Sequence, residues 1–301
     1  MRFTVFFIVT TPLWVTVHGK VEPGMPSICG KRSKPQMPTE AYQMKKTEAP
    51  AHSWPFHTGV YSSSFGNIPI CGGTLIAAQW VLTAAHCITI ALQCKFAPVG
   101  EPFSYADITG HRMAVRVGAH DYSQAEPGAY NVEVDRIIMH PNTTLYTVVP
   151  HSDIALLKLK RKIKSKKTVH FACLPKPGLN LDLGTFCYVA GWGLIRDPPS
   201  FLHPNPPKVW MEMRVPIAVS DACRKQHPDQ LMNDILCTNN MFGIPCPGDS
   251  GGGLICFDSP SEWIIYGIVS GGIHDCSGKV TFYVKVEPKL NWIKSTIAAN
   301  D

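Results

Sequence analysis

The sequence reads Leu82-Thr83-Ala84-Ala85-His86-Cys87 in its first half and Gly248-Asp249-Ser250-Gly251-Gly252 near its end. A serine hydroxyl is a weak nucleophile at neutral pH and needs a neighbouring imidazole to accept its proton. Between the two segments, Asp153 opens the apolar run Ile154-Ala155-Leu156-Leu157 and offers a carboxylate that can orient an imidazole. The glycines let backbone N–H groups approach a substrate carbonyl closely. The three side chains are therefore candidates for one nucleophilic site.

Each of these segments also has an ordinary interpretation. A lone histidine is more often a surface or hydrogen-bonded residue than a base, and a Gly-Asp-Ser-Gly string also fits a plain turn. What favours the catalytic interpretation is the joint occurrence, in the order His86, Asp153 and Ser250, with cysteines at fixed offsets.

The rest of the chain has the pattern of a β protein. From Trp54 onward, short apolar runs alternate with Gly, Pro, Asn and Asp, which favours an all-β sandwich or barrel. At the end, Leu290, Ile293, Ile297 and Ala298 fall on one helical face, which predicts an amphipathic C-terminal helix.

With these residues the chain resembles the chymotrypsin/trypsin family of serine proteases, from about Glu48 to the C-terminal helix. Further matching motifs are Ser53-Trp54-Pro55, Cys71-Gly72-Gly73-Thr74-Leu75, Ala172-Cys173-Leu174-Pro175, Ala190-Gly191-Trp192-Gly193 and Gly267-Ile268-Val269-Ser270. The resemblance implies an all-β fold of two packed antiparallel six-stranded β-barrels with a C-terminal α-helix. The triad would lie in the cleft between the barrels, with His86 as base, Asp153 as its orienting carboxylate and Ser250 as nucleophile.

The chain ends and composition suggest how its 301 residues are divided. Arg2 and the following apolar run predict a secretory signal peptide over residues 1–19, because a membrane anchor needs about 20 apolar residues. Residues 20–43 are rich in Pro and Lys and are interpreted as a lead segment or propeptide. Residues 44–301 are the predicted protease-like domain, with the first barrel at about 54–165, the second at about 166–288 and the helix at about 287–298.

Eleven cysteines agree with a secreted, extracellular protein, since disulfides persist in oxidising compartments. The resemblance implies the pairs Cys71–Cys87, Cys187–Cys256, Cys223–Cys237, Cys246–Cys276 and Cys29–Cys173. Cys94 is left over, and the alternatives are a buried unpaired thiol or an intermolecular bridge.

The resemblance also implies how substrate is held. Backbone N–H groups of Gly248 and Ser250 would form the oxyanion hole, and the substrate-binding residues would be Ile244, Pro245, Ser270, Gly272 and Thr281. Because Ile244 stands where trypsin-like enzymes carry an acid, its apolar side chain cannot neutralise Arg or Lys. We therefore expect a non-tryptic preference for apolar residues, in the elastase or chymotrypsin manner. Gly271 stands where the family usually has Trp, so the resemblance does not fix which residues the neighbouring subsites prefer.

Activation is where the sequence departs most from the family. Family members are made as zymogens, and a cut releases an Ile-Val-Gly-Gly terminus whose ammonium pairs with the acid before the nucleophile, here Asp249. The corresponding position holds Gln43-Met44-Lys45-Lys46. Burying unpaired lysines costs several kcal/mol, so we expect an intact triad with an unformed oxyanion hole. Two hypotheses follow: an active secreted endopeptidase, or a protease-like protein locked in a zymogen-like state that acts as a binding or regulatory protein.

The remaining expectations concern partners and modification. The net charge of +6 owes much to Lys158–Lys167, which is interpreted as a solvated loop edge or as a site for an anionic glycan. Asn142 begins a glycosylation sequon. No cofactor and no metal are expected, since Ala119 and Ala129 stand where the family's optional calcium loop has carboxylates. Expected partners are protein or peptide substrates and protein inhibitors, with no nucleic acid and no membrane span.

Overall fold

The computed structural model describes residues 22–32, 46–144, 151–195, 206–219, 221, 224–225, 234–259, 262–272, 276 and 278–301. The predicted signal peptide at 1–19, residues 33–43 of the lead segment, and Cys223 lie outside these residues. Within the described part, no helix is both long and apolar enough to cross a bilayer.

The first half of the domain is a closed barrel of six antiparallel strands. Their order around the barrel is β2-β3-β4-β7-β6-β5. The strands are β2 (His57–Ser62), β3 (Cys71–Ala77), β4 (Trp80–Thr83), β5 (Met113–Val117), β6 (Tyr130–Met139) and β7 (Ala155–Leu159). Strand β5 shows why the chain folds this way, because Met113, Val115 and Val117 alternate with half-buried residues and face the core.

The second half is a seven-stranded antiparallel sheet in the order β1-β9-β8-β11-β12-β13-β10. Its strands are β1 (Thr47–Glu48), β8 (Phe186–Gly191), β9 (Met211–Pro216), β10 (Ile235–Asn239), β11 (Gly253–Ser259), β12 (Glu262–Gly271) and β13 (Val280–Lys285). The prediction of a second six-stranded barrel needs two corrections. Strand β1 adds to the outer side of β9. Just beyond the end of β9, the described residues join it to β10 only by the isolated bridge Ile217–Thr238 and the hydrogen bond from Ala218 N to Cys237 O, so no continuous ladder closes the sheet.

Helices are few and short among the described residues. Helix α1 (Ala85–Leu92) follows β4 directly, and α2 (Tyr105–Thr109) begins at Ser104, whose hydroxyl accepts a hydrogen bond from Asp107 N. A 3₁₀ turn at Glu287–Lys289 leads into the C-terminal helix α3 (Leu290–Asn300), which buries Leu290, Ile293 and Ile297. The C-terminal helix and the chymotrypsin-like all-β class predicted from the sequence are confirmed.

Four disulfides are present among the described residues: Cys29–Cys173, Cys71–Cys87, Cys187–Cys256 and Cys246–Cys276. Cys237 is also disulfide-bonded, and its predicted partner lies outside the described part. Cys94 is free and exposed, so the interpretation as a buried thiol is wrong. The reason is local, because Gln93 and Cys94 both adopt positive φ and turn the chain outward after α1.

An aromatic cluster joins the two halves of the domain. The ring of Trp54 meets those of Phe56 at 6.1 Å, Tyr188 at 5.5 Å and Trp263 at 5.8 Å. The Arg32 guanidinium from the lead segment stacks 3.3 Å above Trp54. Burial lowers the pKa of Arg32 to about 10, although Glu212 opposes the shift. The lead segment is thus packed onto both halves.

We expect the protein to lose stability as the pH falls from 6.5 towards 3. His57 lies between the rings of Trp54 and Trp210, and burial, with Arg32 nearby, lowers its pKa to about 3. Between these pH values His57 binds a proton in the unfolded chain but stays neutral in the folded chain, so acid favours unfolding. The loss from this residue should reach about 4 kcal/mol at pH 3.

Denaturant titrations at pH 7, 5 and 3.5 measure this effect. His57→Phe should lose less stability across the range than the unmodified protein, whereas His111→Phe, at an exposed position, should not differ from it. Equal acid sensitivity in all three proteins would show that His57 is not the group responsible.

Candidate functional site

His86 and Asp153 are brought together by two paired strands. His86 lies in the first turn of α1, directly after β4, and Asp153 lies two residues before β7 (Ala155–Leu159). Strands β4 and β7 are antiparallel neighbours with Thr83 opposite Ala155, so the end of one meets the start of the other. His86 Nδ1 lies 2.6 Å from Asp153 Oδ2, and His86 N donates to Asp153 Oδ1 at 2.7 Å.

The electrostatics of this pair suit a base. Burial alone would lower the pKa of His86, but the charge of Asp153 and its hydrogen bond raise the pKa above its ordinary value. The Asp153 side chain is fully buried, while that of His86 is 17% exposed. An imidazole whose Nδ1 donates to a carboxylate has Nε2 as its proton acceptor, and in this structure Nε2 lies 3.8 Å from Cys87 Sγ.

Ser270 completes the environment of Asp153 from the second half of the domain. Ser270 is the penultimate residue of strand β12, and its hydroxyl donates a hydrogen bond to Asp153 Oδ2 at 2.6 Å. Asp153 thus receives three hydrogen bonds, two from His86 and one from Ser270. Charge-assisted bonds of this kind are stronger than neutral ones, so the carboxylate is firmly oriented.

The Ser250 turn packs against strand β3 of the barrel and strand β12 of the second sheet. Gly72 N donates to Ser250 O at 2.8 Å, and Gly251 N donates to Val269 O at 2.9 Å. A Cβ built on Gly251 would lie 3.1 Å from the Sγ atom of Cys87, the residue after His86. Ser250 Oγ makes no hydrogen bond to His86 within 3.5 Å among the described residues. Such bonds are often long without substrate.

The predicted oxyanion donors are free. Within the described residues, the backbone N–H groups of Gly248 and Ser250 have no acceptor. Gly248 has φ +98°, and a Cβ there would come 2.9 Å from Gly193 Cα, so only glycine fits. Two unpaired N–H groups beside a serine can bind the oxygen of a tetrahedral intermediate.

Our expectation that lysine would disturb the Asp249 pocket is wrong for Lys46. Its side chain is 5% exposed, and Nζ lies 2.6 Å from Asp249 Oδ2. Burial lowers the pKa of the Lys46 ammonium, while the charge and hydrogen bond of Asp249 oppose that shift. The charge is buried but paired, which removes the desolvation argument made from the sequence. Gln43, Met44 and Lys45 lie outside the described residues.

The predicted substrate-binding residues lie around the edge of β12 and β13. Thr281 is buried and donates to Asn240 Oδ1 at 3.0 Å, and a Cβ on Gly272 would lie 3.7 Å from Thr281 Oγ1. Ile244 is half-buried and Pro245 is buried, both just before the disulfide at Cys246. Asn240 is a polar group of this region that sequence reasoning missed.

A second polar cluster, also missed, supports the segment before Asp153. Lys289 Nζ donates to Asp234 Oδ2 at 2.6 Å and to Ser152 Oγ at 3.0 Å. Ser152 has φ +47°, a conformation that non-glycine residues seldom adopt. These contacts tether the strained residue that precedes Asp153. No local sequence signal marked Lys289, which lies 137 residues away from Ser152.

The outlying predicted sites are also located. Asn142 is exposed. In the basic run Lys158–Lys167, Lys158 donates to Asn300 O, Lys160 pairs with Glu133 at 2.6 Å, and Arg161 donates to Asn131 O. Between Ala119 and Ala129, where the family's optional calcium loop would fall, the Glu126 carboxylate accepts a hydrogen bond from His120 N at 2.5 Å.

Comparisons with known proteins bear on the family and the fold. Residues 44–293 match the family model described as Trypsin. The chain is 32% identical to rat (Rattus norvegicus) Trypsin V-B over 253 residues, which covers 83% of this chain and 87% of that protein. It is 34% identical to mouse (Mus musculus) Ovochymase-2 over 214 residues, 68% of this chain but only 31% of that longer protein.

A solved structure supports the same assignment. The mouse brain serine protease neuropsin superposes with a TM-score of 0.67 at 25% identity, covering 84% of this chain and 99% of neuropsin. The family model, the curated relatives and the fold all lead to one conclusion. The chain belongs to the chymotrypsin/trypsin-like family of serine proteases.

Proposed function

We propose that the protein is a secreted serine endopeptidase that cleaves peptide bonds after apolar residues, with Ser250 as nucleophile, His86 as base and Asp153 as the residue that orients His86. The observation that carries the proposal is the hydrogen-bonded chain from His86 through Asp153 to Ser270, next to a serine turn with two free N–H groups. Four disulfides in the described part support secretion, because they require an oxidising compartment.

In the proposed acylation step, Ser250 Oγ attacks the scissile carbonyl while its proton passes to His86 Nε2. The carbonyl π electrons move to oxygen, and the N–H groups of Gly248 and Ser250 stabilise that charge. Asp153 stabilises the imidazolium that has formed. His86 then returns the proton to the leaving amine as the C–N bond breaks, which leaves an acyl ester on Ser250.

Deacylation uses the same groups with water as the nucleophile. His86 Nε2 removes a proton from water as its oxygen adds to the ester carbonyl. The second tetrahedral intermediate collapses, the C–O bond to Ser250 breaks, and Ser250 Oγ recovers a proton from His86. Peptide acid is released and the free enzyme is restored.

The second candidate is a zymogen-like, inactive protein with a binding or regulatory role. The observations that favour it are the missing Ile-Val-Gly-Gly sequence and the unformed hydrogen bond between Ser250 and His86. Glycan binding at Lys158–Lys167, inhibitor binding and glycosylation of Asn142 stay predictions compatible with either candidate.

Labelling with a fluorophosphonate distinguishes the two candidates, because this probe reacts with an activated serine. We expect the label on Ser250, mapped by peptide mass spectrometry, and none in Ser250→Ala. Ser123→Ala, at an exposed serine, is the matched control and should label normally. A protein that stays unlabelled, both intact and after limited proteolysis, would support the inactive form.

Substrate preference gives a further prediction. If Ile244 contributes the apolar floor of the pocket, Ile244→Asp should place a carboxylate where a basic side chain can pair with it. We expect the ratio of kcat/KM for Arg over Leu before the cut to rise by about 10-fold or more, which is about 1.4 kcal/mol. Peptide libraries measure this ratio. Ile68→Asp, at an exposed position, should leave this ratio unchanged. If both variants changed the ratio equally, Ile244 would not line the pocket.

A further inference from the structure

We propose that the side-chain ammonium of Lys46 holds the oxyanion-forming turn around Ser250 in place, so that the chain is catalytically competent without a cut upstream of Lys46. This inference rests on the proposed protease function and names Lys46 as a positioning residue for it.

The Lys46 ammonium has a complete set of acceptors. Nζ donates to Asp249 Oδ2 at 2.6 Å, to Gly193 O at 2.7 Å and to Leu194 O at 3.3 Å. An ammonium has three protons, and each has an acceptor here. The Asp249 side chain is fully buried and that of Lys46 is 5% exposed. A buried charge with full hydrogen bonding is a fixed structural element, unlike an exposed ion pair.

The carboxylate of Asp249, held by Lys46, in turn accepts hydrogen bonds from two backbone N–H groups. Its Oδ1 accepts a hydrogen bond from Gly193 N at 3.0 Å, and its Oδ2 accepts one from Cys246 N at 2.9 Å. The free N–H groups of Gly248 and Ser250 immediately flank Asp249 in sequence. Anchoring the carboxylate therefore sets the position of both donors, while the hydrogen bonds that the structure gives Lys46 Nζ go to Asp249, Gly193 and Leu194 and not to Ser250.

Strand β1 explains how Lys46 reaches the pocket from within a continuous chain. Thr47 pairs with Glu212 and Glu48 with Met211 on β9, and Ala49 N donates to Trp210 O at 2.8 Å. This short pairing fixes the backbone just after Lys46 at the side of the sheet. A terminal amine would require a cut to reach Asp249, whereas a side chain of four methylenes needs none.

The lead segment is attached to the domain independently of any cut. Cys29 is bonded to Cys173, Gly30 N donates to Phe171 O at 2.7 Å, and Trp263 N donates to Gly30 O at 3.2 Å. Residues 22–32 therefore pack on the body in the same structure in which Asp249 is already paired.

The first test compares intact and cut protein. The intact chain, with residues 20–46 still joined to the body as judged by the mass of the reduced protein, is incubated with a fluorophosphonate. A second sample is first cut within residues 33–45 by a metalloprotease, which the probe does not label. We expect Ser250 in the intact chain to label at a rate within about threefold of the cut chain. Labelling only after the cut would overturn the inference, and no labelling in either sample would overturn the proposed function itself.

The second test removes the ammonium. Lys46→Met keeps most of the side-chain volume and should slow labelling of the intact chain by about 10²–10³-fold, the effect of losing an oxyanion donor. Lys225→Met, at an exposed lysine, is the matched control and should label at the normal rate. A normal rate in Lys46→Met would overturn the inference.

Chemical rescue separates positioning from a general loss of structure. Lys46→Ala leaves a space that matches propylammonium, which restores the three missing methylenes and the charge. We expect propylammonium to accelerate labelling of Lys46→Ala at least 10-fold, and 1-propanol to have no effect. Equal effects of both compounds, or of neither on a variant with normal circular dichroism, would count against a role for the ammonium. The comparison of intact and cut chains stands even if the variants do not fold.

Discussion

Replacing His86 with alanine is expected to lower kcat by about 10⁶-fold while substrate binding is retained. Asp153 holds His86 Nδ1 at 2.6 Å, and His86 is the base proposed to take the proton of Ser250. Binding depends on the pocket and the oxyanion donors, which the substitution leaves in place. Hydrolysis of a peptide with an apolar residue before the cut, measured at steady state, gives kcat and KM separately.

The matched control for this variant is His111→Ala, since His111 is exposed. It should keep normal kcat and KM. If His86→Ala retained activity within 10-fold of the unmodified protein, His86 would not be the base and the proposed triad would be wrong.

Replacing Asp153 with asparagine is expected to lower kcat/KM by about 10⁴-fold at neutral pH. Both carboxylate oxygens of Asp153 accept hydrogen bonds, and the donors are His86 N, His86 Nδ1 and Ser270 Oγ. An asparagine has one oxygen and one NH₂ group, and that NH₂ group would face a donor. The imidazole is then favoured in the tautomer with a proton on Nε2, which cannot accept one from Ser250.

The pH profile of Asp153→Asn adds a readout that a simple loss of folding would not produce. Asp153 raises the pKa of His86 against the opposing effect of burial. Without the carboxylate the pKa should fall, so the acid limb of kcat/KM should move to lower pH. Asp182→Asn, at an exposed position, should keep both rate and profile. An unshifted acid limb would show that Asp153 does not control His86.

The candidate catalytic residues could be proposed from the sequence because their motifs are local. His86, Asp153 and Ser250 each lie in a short string whose residue types match one chemical role. The structure adds the reason that His86 and Asp153 meet: Thr83 pairs with Ala155, so the ends of β4 and β7 are adjacent. Strand pairing of this kind cannot be derived from one string, and the family resemblance gave only the expectation that the triad lies between the barrels.

The second half of the fold was predicted less accurately. The sequence led us to expect six strands closed into a barrel, whereas β1 joins the outer side of β9 and the described residues show no continuous ladder between β9 and β10. A two-residue strand has almost no pattern of its own. Its pairing depends on what lies beside it, and that information is absent from the local sequence.

By itself, the sequence determined the family and the chymotrypsin-like class and gave the candidate residues of the triad, because periodicity and chemical motifs depend on near neighbours in the chain. Only the tertiary structure decided the role of Lys46. The acceptors of its ammonium lie 147 and 203 positions further along. The free energy of a buried charge is set by the groups that surround it in space, so the same lysine that counted against an ordered pocket in the sequence is a paired part of it in the fold.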